Sequence, residues 1–186
     1  MKYQNDIDKM NTNRNLFLMS LPIFVELLLQ LLVGNVDQMM VSRVSQPSVA
    51  AIVNANQIMN LVIIVLSMAS TAVTVILSQY LGAQDEKNAS RTCMVSIVLI
   101  GSVSLAATIL VFAGHTPLYR AIHVPEEVFD EASLYLLIVG AFILVQGLYL
   151  TFSAMIRAFA MVKEVMIISV IMNAMNIVGN AILING

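Results

Sequence analysis

The sequence contains no tryptophan, one cysteine and few charged residues. Only 11% of its 186 residues are charged, whereas 59% are hydrophobic and the mean hydropathy is +0.88. This composition excludes an ordinary soluble domain, because a surface built from so few charged residues would be poorly hydrated. The lone Cys93 excludes an internal disulfide and argues against a thiolate metal cluster. The absence of a basic cluster interleaved with aromatic residues excludes nucleic-acid binding. We therefore expect lipid to be the solvent.

Five long apolar runs separated by polar loops occupy the chain from Leu16 onward. Each run provides the roughly 20 apolar residues that a membrane-spanning helix requires. The predicted fold class is therefore all-α, a polytopic bundle of about five transmembrane helices. A polar tail, residues 1–15, precedes the membrane region, residues 16–186. The predicted spans lie near residues 16–41, 56–81, 93–113, 134–156 and 165–184.

The basic residues predict the orientation of these spans. Seven of the nine lysines and arginines fall in the tail and in the loops after the second and fourth spans, and two fall on the opposite side. The positive-inside rule then places the N-terminus in the cytoplasm of a multi-pass protein, which we expect in the plasma membrane. The first side carries Lys2, Lys9, Arg14, Lys87, Arg91, Arg157 and Lys163, and the second carries Arg43 and Arg120.

One loop, one polar stripe and the end of the chain carry further expectations. The acidic segment after Gly114 predicts a short interfacial helix that begins near Pro125. In the second span, the small polar stripe that includes Ser70 and Thr74 predicts close helix packing. The chain ends at Gly186 directly after an apolar run, which is more typical of an interrupted sequence than of a finished protein.

Polar side chains interrupt the first span. Glu26 and Asp37 are eleven residues apart, so they return to within roughly 20° of one helical face, about 16 Å apart, with Gln30 between them. An ionisable group at membrane depth costs about 2.5–3.5 kcal/mol and usually marks an ion or substrate path. Alternatively, Asp37 caps a helix end or pairs with Arg43, and Glu26 bonds the backbone loosened by Pro22.

Asn173, Asn176 and Asn180 line one face of the fifth span. Their amides can coordinate a cation through carbonyl oxygens or receive a protonated carboxyl group. They can equally serve as interhelical contacts worth only about 0.6 kcal/mol each, which is the commoner use.

The sequence carries no sign of a catalytic centre. It contains no HExxH, GxSxG or Gly-rich phosphate loop. His115 and His123 fall in one loop without a spaced carboxylate or cysteine to complete a metal site. We therefore expect neither an enzyme nor a bound cofactor or structural metal.

Four segments in order resemble the multidrug and toxic compound extrusion (MATE) transporters. The first span is similar to the family's first span through its Leu-Pro-Ile-Phe and Gly-Asn-Val-Asp-Gln-Met-Met-Val motifs. Each motif alone is weak, but together they cover nearly the whole chain at consistent spacing. They lie at residues 21–24 with 34–41, 79–85, 153–158, and 172–177 with 182–186.

The resemblance implies a secondary antiporter that exports cationic or amphipathic compounds in exchange for H+ or Na+. Such proteins have two six-helix lobes that alternate access, and this chain resembles only the first five helices. The resemblance also implies that Asp37 binds the coupling ion, with Asn176 and Asn180 supporting it and able to hold Na+. Glu26, Gln30 and Asn173 are secondary polar positions. Some relatives carry an acid where this chain has Asn180.

Two other functions remain open at this stage. One is a flippase of the same superfamily for lipid-linked or polysaccharide precursors. The other is a non-transporting, truncated membrane subunit, because five helices need a C-terminal lobe or a second chain to form a cavity. The expected partners are therefore a small cationic or amphipathic substrate, the lipid bilayer and that missing lobe or chain.

Overall fold

The computed structural model describes residues 17–18, 20–29, 31–32, 46–121 and 126–185. These residues form helices joined by turns, and the described part of the chain contains no strand, which confirms the predicted all-α fold. The helices are α1 (Ser20–Leu29), α2 (Gln46–Gly82), α3 (Glu86–Ala121), α4 (Glu126–Ala141), α5 (Ile143–Ala158) and α6 (Val162–Asn185).

The helices fall into two compact units. One unit comprises Met1–Met40 and Ala160–Gly186 and thus holds α1 and α6. The other comprises Val41–Phe159 and holds α2 to α5, in which α2 and α3 pack against each other and against both α4 and α5. Its core contains Leu66, Leu77, Ile100, Leu136 and Ile143, each at most 1% exposed.

The lengths of the helices suit a membrane. Among the described residues, Ile52–Gly82, Glu86–Ala121 and Val162–Gly179 are long and apolar enough to cross it. A fourth crossing is formed if Val128–Ala141 and Ile143–Ala158, bent by 42°, act as one span. These helices agree with a polytopic membrane protein, while the predicted limits of the individual spans remain predictions.

Two segments differ from the sequence-based expectation. The helix α3 has 36 residues and is about 54 Å long, well beyond the predicted span at residues 93–113. Since the hydrocarbon layer is only about 30 Å thick, the ends of α3 must extend outside it. The helix that begins at Glu126 runs on to Ala141, so it forms the first half of the fourth apolar segment and not a separate interfacial helix.

A tight turn joins α2 to α3. Gln84 adopts the left-handed conformation at φ 58°, and the Asp85 amide donates to the Tyr80 carbonyl at 2.9 Å, as in a Schellman C-cap. The Asp85 carboxylate then caps α3 by accepting from the backbone amide of Asn88 at 3.1 Å and from its side-chain amide at 2.6 Å. These hydrogen bonds, the backbone one foremost, lower the pKa of Asp85.

Hydroxyl side chains inside the second unit hydrogen-bond to the helix backbone. Ser96, Ser104 and Thr151 each donate to the carbonyl four residues earlier, at 2.7–2.8 Å. Thr74 also reaches the Ala154 carbonyl of α5 at 3.2 Å, and Ser70 is buried beside it on α2. The predicted close packing of this stripe is confirmed at these two positions.

Two glycines of α4 and α5 allow a close approach to α3. A Cβ atom at Gly140 would lie 2.7 Å from Val111 Cγ1, and one at Gly147 would overlap the Ser104 hydroxyl. Ser104 and Val111 are one heptad apart on one face of α3, and Gly140 in α4 and Gly147 in α5 are separated by the same number of residues. We call these four residues the glycine seam.

The bend between α4 and α5 lies inside the glycine seam. Phe142 adopts φ −95° and ψ 3°, and its amide donates to the Val139 carbonyl at 3.0 Å, which is a 3₁₀-type hydrogen bond. The α-helical pattern resumes where the Gln146 amide donates to the Phe142 carbonyl at 2.9 Å. The chain therefore turns by 42°, and the helical geometry is disturbed only at the bend itself.

Tyr119 joins the end of α3 to α4. Its ring is fully buried, its hydroxyl donates to the Ala132 carbonyl at 2.7 Å, and its edge meets the Phe129 ring at a centroid distance of 5.8 Å.

We expect Tyr119→Phe to lower the free energy of unfolding by about 1 kcal/mol, because it removes one buried hydrogen bond and keeps the ring contact. Tyr149→Phe is the control, since Tyr149 is half-buried and makes no hydrogen bond with the described residues. Thermal unfolding in detergent would measure both. Equal unfolding temperatures for the two variants would contradict this role for Tyr119.

Candidate functional site

The helix α1 buries its polar face and exposes its apolar one. Pro22 and Glu26, one turn apart, are buried, with Glu26 only 2% exposed. The apolar side chains around them are exposed or half-buried, and Phe24 and Leu27 are more than half exposed. This arrangement is the reverse of a soluble helix and suits a segment with lipid on one side and a polar interior on the other.

The burial of Glu26 agrees with the sequence-based expectation that it faces the protein interior. A carboxylate removed from solvent is stable only with a partner, and Glu26 does interact with other residues. An acid in this setting can exchange a proton or hold a cation, and it can also serve as a structural hydrogen-bonding group.

The polar stripe of α6 begins at that helix's buried face and extends to an exposed position. Val165 and Ser169 are buried at 1% and 4% exposure. Asn173, one turn further, is half-buried, and Asn176 is exposed and interacts with other residues. The Asn173 side-chain nitrogen is shielded from solvent and has no hydrogen-bond partner within the described residues. Such an amide is costly to leave unsatisfied, so it is available to a ligand or a further helix.

The remaining predicted site residues are placed as follows. Asp37 and Gln30 lie outside the described residues. Asn180 lies in α6, but its side chain is likewise outside the described part. The structure places Glu26 and the Asn173–Asn176 stripe in the same compact unit. The assignment of Asp37, Asn176 and Asn180 to a coupling ion therefore stays a prediction.

In the described segments, no group of three or more histidine, cysteine, aspartate or glutamate side chains could hold a metal ion. Carbonyl and carboxylate oxygens, such as those of Glu26 and the asparagines of α6, are the ligands that Na+ would need.

The sequence analysis missed a groove between α2 and α3. It encloses about 450 Å³ and is lined by apolar residues such as Ile76, Val95 and Leu99. Tyr80, Asn88, Arg91 and Thr92 line its end nearest the α2–α3 turn. Sequence alone offered one signal, the polar cluster that follows the second apolar run, but it was interpreted only as a charge that sets orientation.

Comparison with known proteins identifies the family. Residues 22–182 match the MatE family. An uncharacterized transporter, YisQ of Bacillus subtilis, is 37% identical over 172 residues, which is 92% of this chain and 38% of that protein. A probable multidrug resistance protein, NorM of Chromobacterium violaceum, is 28% identical over 173 residues, or 90% of this chain and 36% of that protein.

No solved structure matches the chain significantly. The chain spans less than two fifths of the length of the two relatives. The family match nevertheless covers most of the chain, and the apolar helices are those of a membrane protein. The chain therefore belongs to the MatE family.

Proposed function

We propose that this chain forms the first part of a secondary antiporter in the plasma membrane, which exports cationic or amphipathic compounds in exchange for H+ or Na+. The observation that carries the proposal is the carboxylate of Glu26, 2% exposed on a helix whose outer face is apolar. The printed description of NorM as a probable multidrug resistance protein supports the substrate class.

The proposed mechanism rests on the charge of acidic residues in the first span. A desolvated carboxylate is costly when ionised, and it attracts either a proton, Na+ or a cationic substrate. Binding of the coupling ion at Asp37 neutralises the charge that holds the substrate cation. It also removes the penalty for closing the cavity, so that substrate release and closure are favoured together. Asn176 and Asn180 would support the ion through their amide oxygens.

The translocation pathway also needs groups beyond these helices. The described helices provide three apolar crossings, or four if α4 and α5 together form one span. We propose that a C-terminal lobe or a second chain supplies the rest of the pathway.

We expect the native protein that contains these residues to drive uptake of a fluorescent lipophilic cation into everted membrane vesicles. The vesicle lumen is loaded with acid in one experiment and with Na+ in another. This identifies the coupling ion, because only a gradient of that ion drives uptake. Vesicles from cells without the protein are the control. Absence of gradient-driven uptake with both ions, although the protein is present in the membrane, would overturn the proposal. Uptake of an anionic lipid-linked precursor in its place would favour the flippase.

A further inference from the structure

The groove between α2 and α3 has the chemistry of a phospholipid site. The twelve side chains that line it within the described residues include one charged residue, Arg91, which is exposed on α3. The other lining residues near Arg91 are polar, and those further from the turn are apolar apart from Ser96, whose hydroxyl donates to the Thr92 carbonyl. The groove thus has a cationic end and a long apolar section. These match the anionic headgroup and the acyl chain of a lipid, respectively.

The position of the cationic end fits headgroup depth. Arg91 lies six residues into α3, beside the turn that joins α2 and α3. Leu99 lies eight residues further along the same helix, or about 12 Å deeper. A headgroup at Arg91 would therefore place the middle of an acyl chain near Leu99. Basic pockets between transmembrane helices are known to hold anionic lipid headgroups.

We propose that this groove binds one phospholipid with an anionic headgroup, whose phosphate pairs with Arg91 and whose acyl chain lies along the apolar wall of α2 and α3. Tyr80 also lines the polar end and supplies a hydroxyl donor for the headgroup oxygens, whereas the Thr92 hydroxyl donates to the Asn88 carbonyl at 2.8 Å. The groove disfavours a cationic drug, because Arg91 would repel it. Its proposed occupant is an anion, whereas the substrate of the proposed antiporter is a cation.

The acidic residues of the turn do not contradict this assignment. Asp85 accepts both hydrogen bonds from Asn88 and is committed to capping α3, and it does not line the groove. Lys87 lies one turn before Arg91 but is exposed and outside the groove, so it offers a matched control for charge.

The absence of tryptophan makes a clean optical test possible, because any tryptophan introduced is the sole one in the chain. The full chain of 186 residues, carrying Leu99→Trp, is reconstituted with phospholipids brominated midway along the acyl chain. We expect brominated phosphatidylglycerol to quench the fluorescence with an affinity about fivefold higher than brominated phosphatidylcholine does. The adjacent Val98→Trp, whose native side chain is 63% exposed and outside the groove, should show no preference.

Charge variants then assign the preference to Arg91. In the Leu99→Trp background, Arg91→Gln is expected to abolish the preference for phosphatidylglycerol, whereas Lys87→Gln retains it. Ile76→Trp on the facing helix, 44% exposed and part of the groove, repeats the measurement if Leu99→Trp fails to fold.

Three results would overturn the proposal. One is equal quenching by the two lipids at Leu99→Trp. Another is a preference that survives Arg91→Gln. The third is the absence of quenching by either lipid at both groove positions, which would show that protein covers the groove. Because none of these results depends on transport, failure of this proposal is distinguishable from failure of the antiporter assignment.

Discussion

Gly147→Ala is expected to destabilise the four-helix unit of α2 to α5 by about 1–3 kcal/mol, and Gly147→Val by more. A Cβ atom at this position would overlap the Ser104 hydroxyl and lie 2.9 Å from Ser104 Cβ. Ser104 is fully buried and its hydroxyl bonds the Ile100 carbonyl at 2.7 Å, so it cannot move aside without losing that bond. The helices must therefore separate, which exposes the core between them.

The single cysteine provides the measurement. Cys93 is half-buried against the core of the same unit, so a thiol-reactive dye reports the opening of that core on heating. We expect Gly147→Ala to lower the temperature at which Cys93 becomes reactive. Gly101→Ala is the matched control, because its added Cβ would have no heavy atom within 4 Å.

A second-site change tests whether the contact itself is the cause. Ser104→Gly removes the atoms that a Cβ at residue 147 would meet, so Gly147→Ala should cost far less in that background. The difference between the two backgrounds is the coupling between the sites. An unfolding temperature for Gly147→Ala that matches that of Gly101→Ala would contradict the close contact. An undiminished cost in the Ser104→Gly background would contradict its assignment to Ser104.

Asp37→Asn is expected to reduce ion-driven uptake by about tenfold or more, since coupling between sites is commonly worth about 1–3 kcal/mol. The amide keeps the size of the side chain but can neither take up a proton nor supply the charge that attracts Na+. The measurement is initial uptake into everted vesicles with and without the gradient.

Asp130→Asn is the control for this experiment. Asp130 is an exposed acid near the beginning of α4, and its replacement makes the same change in net charge. Glu26→Gln, which neutralises the buried carboxylate of α1, distinguishes the primary from the secondary site. If Asp37→Asn keeps the gradient response and Glu26→Gln loses it, the coupling ion belongs to Glu26.

Much of the architecture could be predicted from the apolar runs, because each is long enough to satisfy its own backbone hydrogen bonds in lipid. The true ends of the helices could not. Hydropathy falls off beyond the membrane, but α3 remains helical through polar residues and even through Pro117 to Ala121. The break at Phe142 carries no proline, and Gly140, two residues earlier, lies close to Val111 on another helix.

The candidate site, too, could be predicted only in part from the sequence. The burial of Glu26 could be predicted, because an acidic side chain in a membrane-spanning segment is costly to expose to lipid. The groove at Arg91 could not, since its walls come from two helices whose rotation about their axes is set only by tertiary packing. The glycine seam had a signal, the paired heptad spacing, but its partner helix cannot be read from the spacing alone.

The glycine seam also determines where this molecule is mechanically stiff. A bent helix is often regarded as a hinge, but the bend at Phe142 is held on both sides by α3, through Gly140 against Val111 and through Gly147 against Ser104. Straightening it would pull at least one of these contacts apart. Force applied at one end of α4 would therefore be transmitted to α3 and α5 together, and these three helices should move as a single body.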